Sequence, residues 1–127
     1  MPLVTLTVQR PTAAATKTAV LDAVHRALVK IGVPPTDRFQ RVLALEPEDF
    51  RFDESYPDLQ RPRTDRFVLI EVLFSVGRSV KVKRQFLDHL MADLRAAGFD
   101  LEHVMVVFKE TAWENWSFGG GRVIHAA

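Results

Sequence analysis

The chain contains no cysteine, and no apolar run approaches the roughly 20 residues that a membrane-spanning helix needs. The first absence excludes a disulfide frame and a thiol nucleophile, and it fits a cytoplasmic protein. The second leaves no segment expected to cross a membrane. Charge of one sign is also missing. Seventeen basic residues against sixteen acidic ones leave a net +1, too balanced for nucleic acid to be the main partner. The start of the chain has no basic stretch, apolar run and small-residue cleavage site of the secretory kind. Four histidines, His25, His89, His103 and His125, stand at no spacing typical of metal ligands, so no metal is expected. The triple glycine Gly119-Gly120-Gly121 lacks the strand–loop–helix setting of a phosphate loop, and no cofactor is expected either.

What remains is 127 residues, 47% of them hydrophobic, enough for one domain with a real core. Leu3 to Gln9 alternates as a strand, with Val4, Leu6 and Val8 on one side. Arg10-Pro11-Thr12 reads as a strand-to-helix turn with Thr12 as N-cap. Val20, Leu21, Val24, Leu28 and Ile31 form a helical stripe over 13–31, closed by Gly32 and barred from continuing by Pro34-Pro35. A second strand is expected over 38–45. The plan then repeats. Phe67 to Phe74 is a strand, Ser79 a cap, 80–97 a helix closed by Gly98, and Val104 to Phe108 a fourth strand.

The expected fold is therefore α+β. It is a tandem βαβ repeat, with units over 2–46 and 67–109, joined by a connector over 47–66 and followed by a tail over 110–127. Right-handed crossovers put both helices on one face of a four-stranded sheet. Phe50-Arg51-Phe52 is expected to form a short strand within the connector, and the glycine triplet to turn a terminal hairpin that reaches a neighbouring subunit. The third and fourth strands are apolar on both sides, whereas only one face has helices to cover it. Other copies of the chain are expected on the second face. Arg61, Arg63 and Arg66 are offset by neighbouring acids and read as a solvated connector, while Trp113, Trp116 and Phe118 either fill a core or interface or wall a small-molecule pocket.

One chemical group stands out. If Met1 is removed, the first strand begins with a free proline, Pro2, whose secondary amine is held at the mouth of the fold. If Met1 stays, the same nitrogen is a tertiary amide with neither proton nor lone pair to offer.

The tandem plan, Pro2 after the initiator, Gly77-Arg78-Ser79 before the second helix and Glu114-Asn115-Trp116-Ser117-Phe118-Gly119 in the tail together resemble the tautomerase superfamily. The nearest likeness is to the longer-chain branch that includes malonate semialdehyde decarboxylase, whose Val-Pro-x-x-Asp-Arg-aromatic-Gln segment is matched by Val33 to Gln40. The resemblance implies a homotrimer with sheets inside and helices outside. It implies Pro2 as the catalytic amine, Asp37 as a catalytic aspartate, Arg78 as a substrate-carboxylate arginine, and Trp116 and Phe118 as an apolar wall. The decarboxylase branch carries a second arginine close before the one matching Arg78. Here that stretch is Ser75-Val76-Gly77, and Arg10 is the candidate second cation.

An α-amine titrates near about 8 in model compounds, and apolar surroundings beside a guanidinium lower that value. A partly neutral amine at neutral pH is a general base for moving a proton between an enol oxygen and carbon. The expected activity is thus a cofactor-free tautomerase acting on a small 2-oxo carboxylate. The alternatives are a lyase or hydratase of the malonate semialdehyde decarboxylase kind, or a trimeric binding protein that keeps the fold without the base.

Overall fold

Alternating Val4, Leu6 and Val8 make Leu3–Gln9 the first strand, β1, and each of these three side chains is at most 1% exposed. The computed structural model describes residues 2–123; Met1, on which the proline chemistry turns, and His125 lie outside them. The elements that follow are α1 (Ala14–Lys30), β2 (Phe39–Leu45), β3 (Val68–Ser75), α2 (Val80–Ala96) and β4 (Val104–Thr111). The sheet order is β2-β1-β3-β4. β1 runs parallel to β2 and β3 parallel to β4, while β1 and β3 are antiparallel with Leu3 opposite Leu73. Two βαβ units are thus joined back to back.

Both helices lie on one face and share one core. Val20, Val24 and Leu28 of α1 and Phe86, Leu90 and Leu94 of α2 meet Val4, Leu6, Ile70 and Val72. Phe108 stacks flat on Phe74, centroids 5.7 Å apart, and meets Phe86 edge-on at 5.6 Å. The helices also end alike. Gly32 (φ +109°) and Gly98 (φ +88°) adopt the left-handed conformation that the sequence signals, and Val33 N–H and Phe99 N–H reach back to the carbonyls of Leu28 and Leu94.

Three local expectations are corrected. Thr12 does not cap α1. Its hydroxyl donates to the Gln9 carbonyl at 2.6 Å, and the cap position falls to Ala13, which offers no side-chain acceptor. Phe50-Arg51-Phe52 is not a strand. Pro47–Asp49 forms a single 3-10 turn, after which Phe50 and Phe52 pack against Phe67 with centroids 5.7 and 4.4 Å away; burying the rings wins over sheet pairing. No strand follows Thr111 among the described residues, so the glycine triplet turns no hairpin there; Trp113–Asn115 is instead a 3-10 turn, held by Asn115 Nδ2 donating to Thr111 Oγ1 at 2.6 Å.

The second sheet face has no helix over it. Phe39, Leu43 and Met105 are 48%, 42% and 44% exposed there, far more than an interior sheet position allows. A polar stripe crosses the same face. Arg41 Nε donates to Thr5 Oγ1 at 2.9 Å, and Lys109 pairs with Glu71.

Candidate active site

Strand directions decide what meets at each end of the sheet. The beginnings of β1 and β2 and the ends of β3 and β4 all lie at one end, because Leu3 is paired with both Phe39 and Leu73 while Ser75 is paired with Thr111. That end gathers Pro2, Asp37, Arg78 and the 112–118 segment, residues far apart in sequence.

Pro2 is buried immediately before β1. Asp37, half-buried, sits in the turn that opens β2, its N–H bonded to the Pro34 carbonyl at 3.0 Å. Arg78 belongs to the turn between β3 and α2. Its guanidinium lies over the Phe74 ring, 4.6 Å from the centroid, and donates to the Ser75 carbonyl at 3.2 Å. Loss of water around this half-buried group holds its pKa below the usual arginine value, while the charges of Glu110 and then Asp37 pull it back up. It remains a cation at any physiological pH. Immediately after Arg78, Ser79 caps α2 as expected, accepting from Val82 N–H at 3.2 Å.

The tail closes the arrangement. Trp116 stacks on Phe118 at 5.8 Å and 5°, and Phe118 meets Phe39 at 5.9 Å. Because Phe39 is opposite Leu3, this aromatic row stands at the end of the sheet where β1 begins. Trp113 Nε1 donates to the Val76 carbonyl at 3.2 Å and ties the tail to the Arg78 turn. Two buried polar atoms in this region, Ser75 Oγ and Trp116 Nε1, have no hydrogen-bond partner. Orphaned groups of this kind are uncommon in folded proteins and call for an explanation such as a ligand or water.

Arg10 is not brought to this end. It follows β1 at the opposite end of the sheet, where it pairs with Glu46 at 3.2 Å in an exposed bridge. A cavity of about 540 Å³ also opens at that opposite end, lined by Thr12, Ala13, Arg66, Phe67 and His103 among others. It holds none of the residues singled out for chemistry. The basic connector cluster divides. Arg61 makes two hydrogen bonds to Asp100, and Arg63 is a staple over the Phe67 ring. Among the described residues no group of three His, Cys, Asp or Glu is arranged to hold a metal ion.

Sequence reasoning named Trp113 with Trp116 and Phe118 but missed Phe39, Glu110 and Lys83 as members of this end. Only Lys83 left a trace, in the form of three cations and no acid in the opening of α2.

Comparison with known proteins follows the geometry. The family model described as tautomerase enzyme matches residues 37–119, a span containing Asp37, Arg78, Trp116 and Phe118. The chain is 29% identical over 101 residues to the probable tautomerase YusQ of Bacillus subtilis (strain 168), covering 78% of each. It superposes on malonate semialdehyde decarboxylase of FG41, inhibited by 3-bromopropiolate, with TM-score 0.85 and 29% identity over 95% of this chain and 92% of that one. A second malonate semialdehyde decarboxylase, solved in wild-type, proline-to-alanine mutant and inactivated forms and described as having decarboxylase and hydratase activities, gives TM-score 0.84 and 31% identity over 95% and 93%. A fused 4-OT trimer, at 22% identity, TM-score 0.73, and 95% and 94% coverage, shares the fold.

Proposed function

Because the chain belongs to the tautomerase enzyme family, we propose that it interconverts keto and enol forms of a small 2-oxo carboxylate, with the Pro2 nitrogen as general base once Met1 is gone. The observation that carries this reading is the meeting of Pro2 and the half-buried Arg78 at one end of the sheet. Arg78 takes the substrate carboxylate through paired hydrogen bonds. The neutral amine accepts the enol O–H proton and returns it to the adjacent carbon as the C=C electron pair becomes a C–H bond and C=O forms. Asp37 orients the amine or a water. Trp116 and Phe118 wall off the substrate's apolar part and exclude bulk water.

A 2-oxo carboxylate suits the charge around the site. Lys81 and Arg84 open α2 with no acid in its first turn, so the helix dipole and these side chains both favour an anion.

Within one chain Arg10 cannot reach Pro2. As a second cation it serves only the site of a neighbouring copy, and the uncovered apolar sheet face supports such an assembly. We therefore assign a homotrimer, as in the fused 4-OT structures that share the fold. Sedimentation at three times the 14.4 kDa chain mass checks it.

The decarboxylase-and-hydratase reading rests on the higher identity to the two decarboxylases than to fused 4-OT. Against it stands the turn before Arg78, where Val76 is 43% exposed and no second guanidinium is present. Two-point clamping of a malonate-type substrate therefore lacks one of its cations within the chain.

The test combines intact mass, expected to show loss of Met1, with ketonisation of a phenylenolpyruvate-type enol followed by ultraviolet absorbance. Pro2→Ala should lower kcat/KM by about 10² or more. Unchanged turnover in that variant would remove proline from the mechanism. Carbon dioxide release from malonate semialdehyde exceeding enol turnover would favour the alternative.

A further inference from the structure

The first turn of α2 breaks an ordinary rule. A helix N-terminus favours acidic side chains, yet Lys81, Lys83 and Arg84 are placed there. A local rule broken without local benefit points to a role elsewhere. Lys83 reaches across to β4, its Nζ 2.5 Å from Glu110 Oε1. The two side chains are only 23% and 32% exposed, against 60% and 52% for the Arg10–Glu46 pair at the other end of the sheet.

Glu110 is paired in register with Phe74, so both side chains project from the same sheet face. Arg78 lies over the Phe74 ring. Glu110 thus stands next to the residue whose ring carries Arg78, and of the two carboxylates acting on the guanidinium it weighs more than Asp37. The geometry nevertheless gives Glu110 to Lys83 and leaves Arg78 hydrogen-bonded to the Ser75 carbonyl. Deprived of its lysine, the Glu110 carboxylate, 32% exposed, would turn to the nearby guanidinium, since carboxylate–guanidinium pairs are the strong, geometrically matched ones. The guanidinium would then be closed to any substrate.

We propose that Lys83 is a positioning residue: by holding Glu110, it keeps the Arg78 guanidinium open to the substrate's carboxylate. This rests on the reading that Arg78 binds that carboxylate.

Carboxylate affinity and turnover measured in three variants test the pair. Lys83→Met should raise the KM for a 2-oxo carboxylate, and the Kd of a non-reacting 2-oxo carboxylate read from tryptophan fluorescence, by about tenfold, with kcat within about twofold. Lys83→Arg should retain wild-type values. In the double variant Lys83→Met/Glu110→Gln the competing charge is gone, and KM should return to within about twofold of wild type. A merely structural lysine would show no such recovery. An unchanged KM in Lys83→Met, or no recovery in the double variant, overturns the proposal. Arg78→Ala separates the two layers. If it raises KM while Lys83→Met does not, only the Lys83 role falls; if Arg78→Ala leaves KM unchanged, the carboxylate-binding reading falls and takes Lys83 with it.

Discussion

The two ends of the sheet are counterparts. Because β1 and β3 are antiparallel, each βαβ unit delivers its strand-to-helix turn to the opposite end. At one end Arg10 follows β1; at the other Arg78 follows β3. The first arginine is exposed and tied to Glu46, its helix begins without a side-chain cap, and a cavity opens beside it. The second is half-buried over an aromatic ring, its helix is capped by Ser79, and a partly buried ion pair stands next to it. The repeat duplicates the scaffold, whereas the proline is single: only β1 is preceded by Pro2. On the proposed reading, the cavity and the site lie at opposite ends of the sheet. The end with the cavity has neither the proline nor the aromatic row.

The largest effect should show that the two ends stand on one foundation. Phe86→Ala in the second unit should cost about 3–5 kcal/mol and Leu28→Ala in the first about 2–5 kcal/mol. Both side chains are at most 1% exposed within a single core, so each variant should melt in one transition. Two separate transitions would mean that the halves are independent.

The arginines come next. Arg78→Ala should raise KM for the carboxylate about tenfold or more, while kcat changes less. Arg10→Ala should have a smaller effect in the same assay. Equal effects would show that a neighbouring copy brings Arg10 fully into a two-point clamp.

Capping provides a finer contrast. Ser79→Ala should destabilise by about 1 kcal/mol, whereas Ala13→Ser should stabilise by about 0.5–1 kcal/mol, since it supplies the acceptor that α1 lacks at an exposed position. Chemical denaturation of both variants measures the difference.

The smallest effect concerns pH at the connector. The Arg61 guanidinium, followed by the Glu102 N–H, holds the Asp100 carboxyl well below its ordinary value of 3.8. Its stabilising contribution is complete above that ordinary value and is lost as pH falls through the depressed one. Arg61→Ala should flatten this acid limb in a stability–pH series. An unaltered limb would show that the pair adds nothing in solution.

Much was legible before folding because it depends on near neighbours in sequence. Gly32 and Gly98 mark the helix ends, since only glycine enters the left-handed conformation at little cost. The alternation of Val4, Leu6 and Val8 marks the sheet face that the helices cover, and the doubly apolar third strand marks a second apolar face that they leave open. Thr12 failed as a cap because its hydroxyl found the Gln9 carbonyl first, a competition of a few atoms that composition does not reveal. Phe50 and Phe52 failed as a strand because Phe67, fifteen or more residues on, offered them ring contacts. Pro2, Asp37, Arg78, Trp116 and Phe118 were nameable through family resemblance. Nothing in their spacing joined them.

By itself the sequence determined the elements, their repeat and a proline just ahead of the first strand, because helix and strand periodicity are short-range properties. Tertiary structure alone decided which ends meet. Strand register, an outcome of all the core contacts together, put Arg78 at the end of the sheet where β1 begins, sent Arg10 to the far end, and set Lys83 against Glu110 across 27 positions of chain.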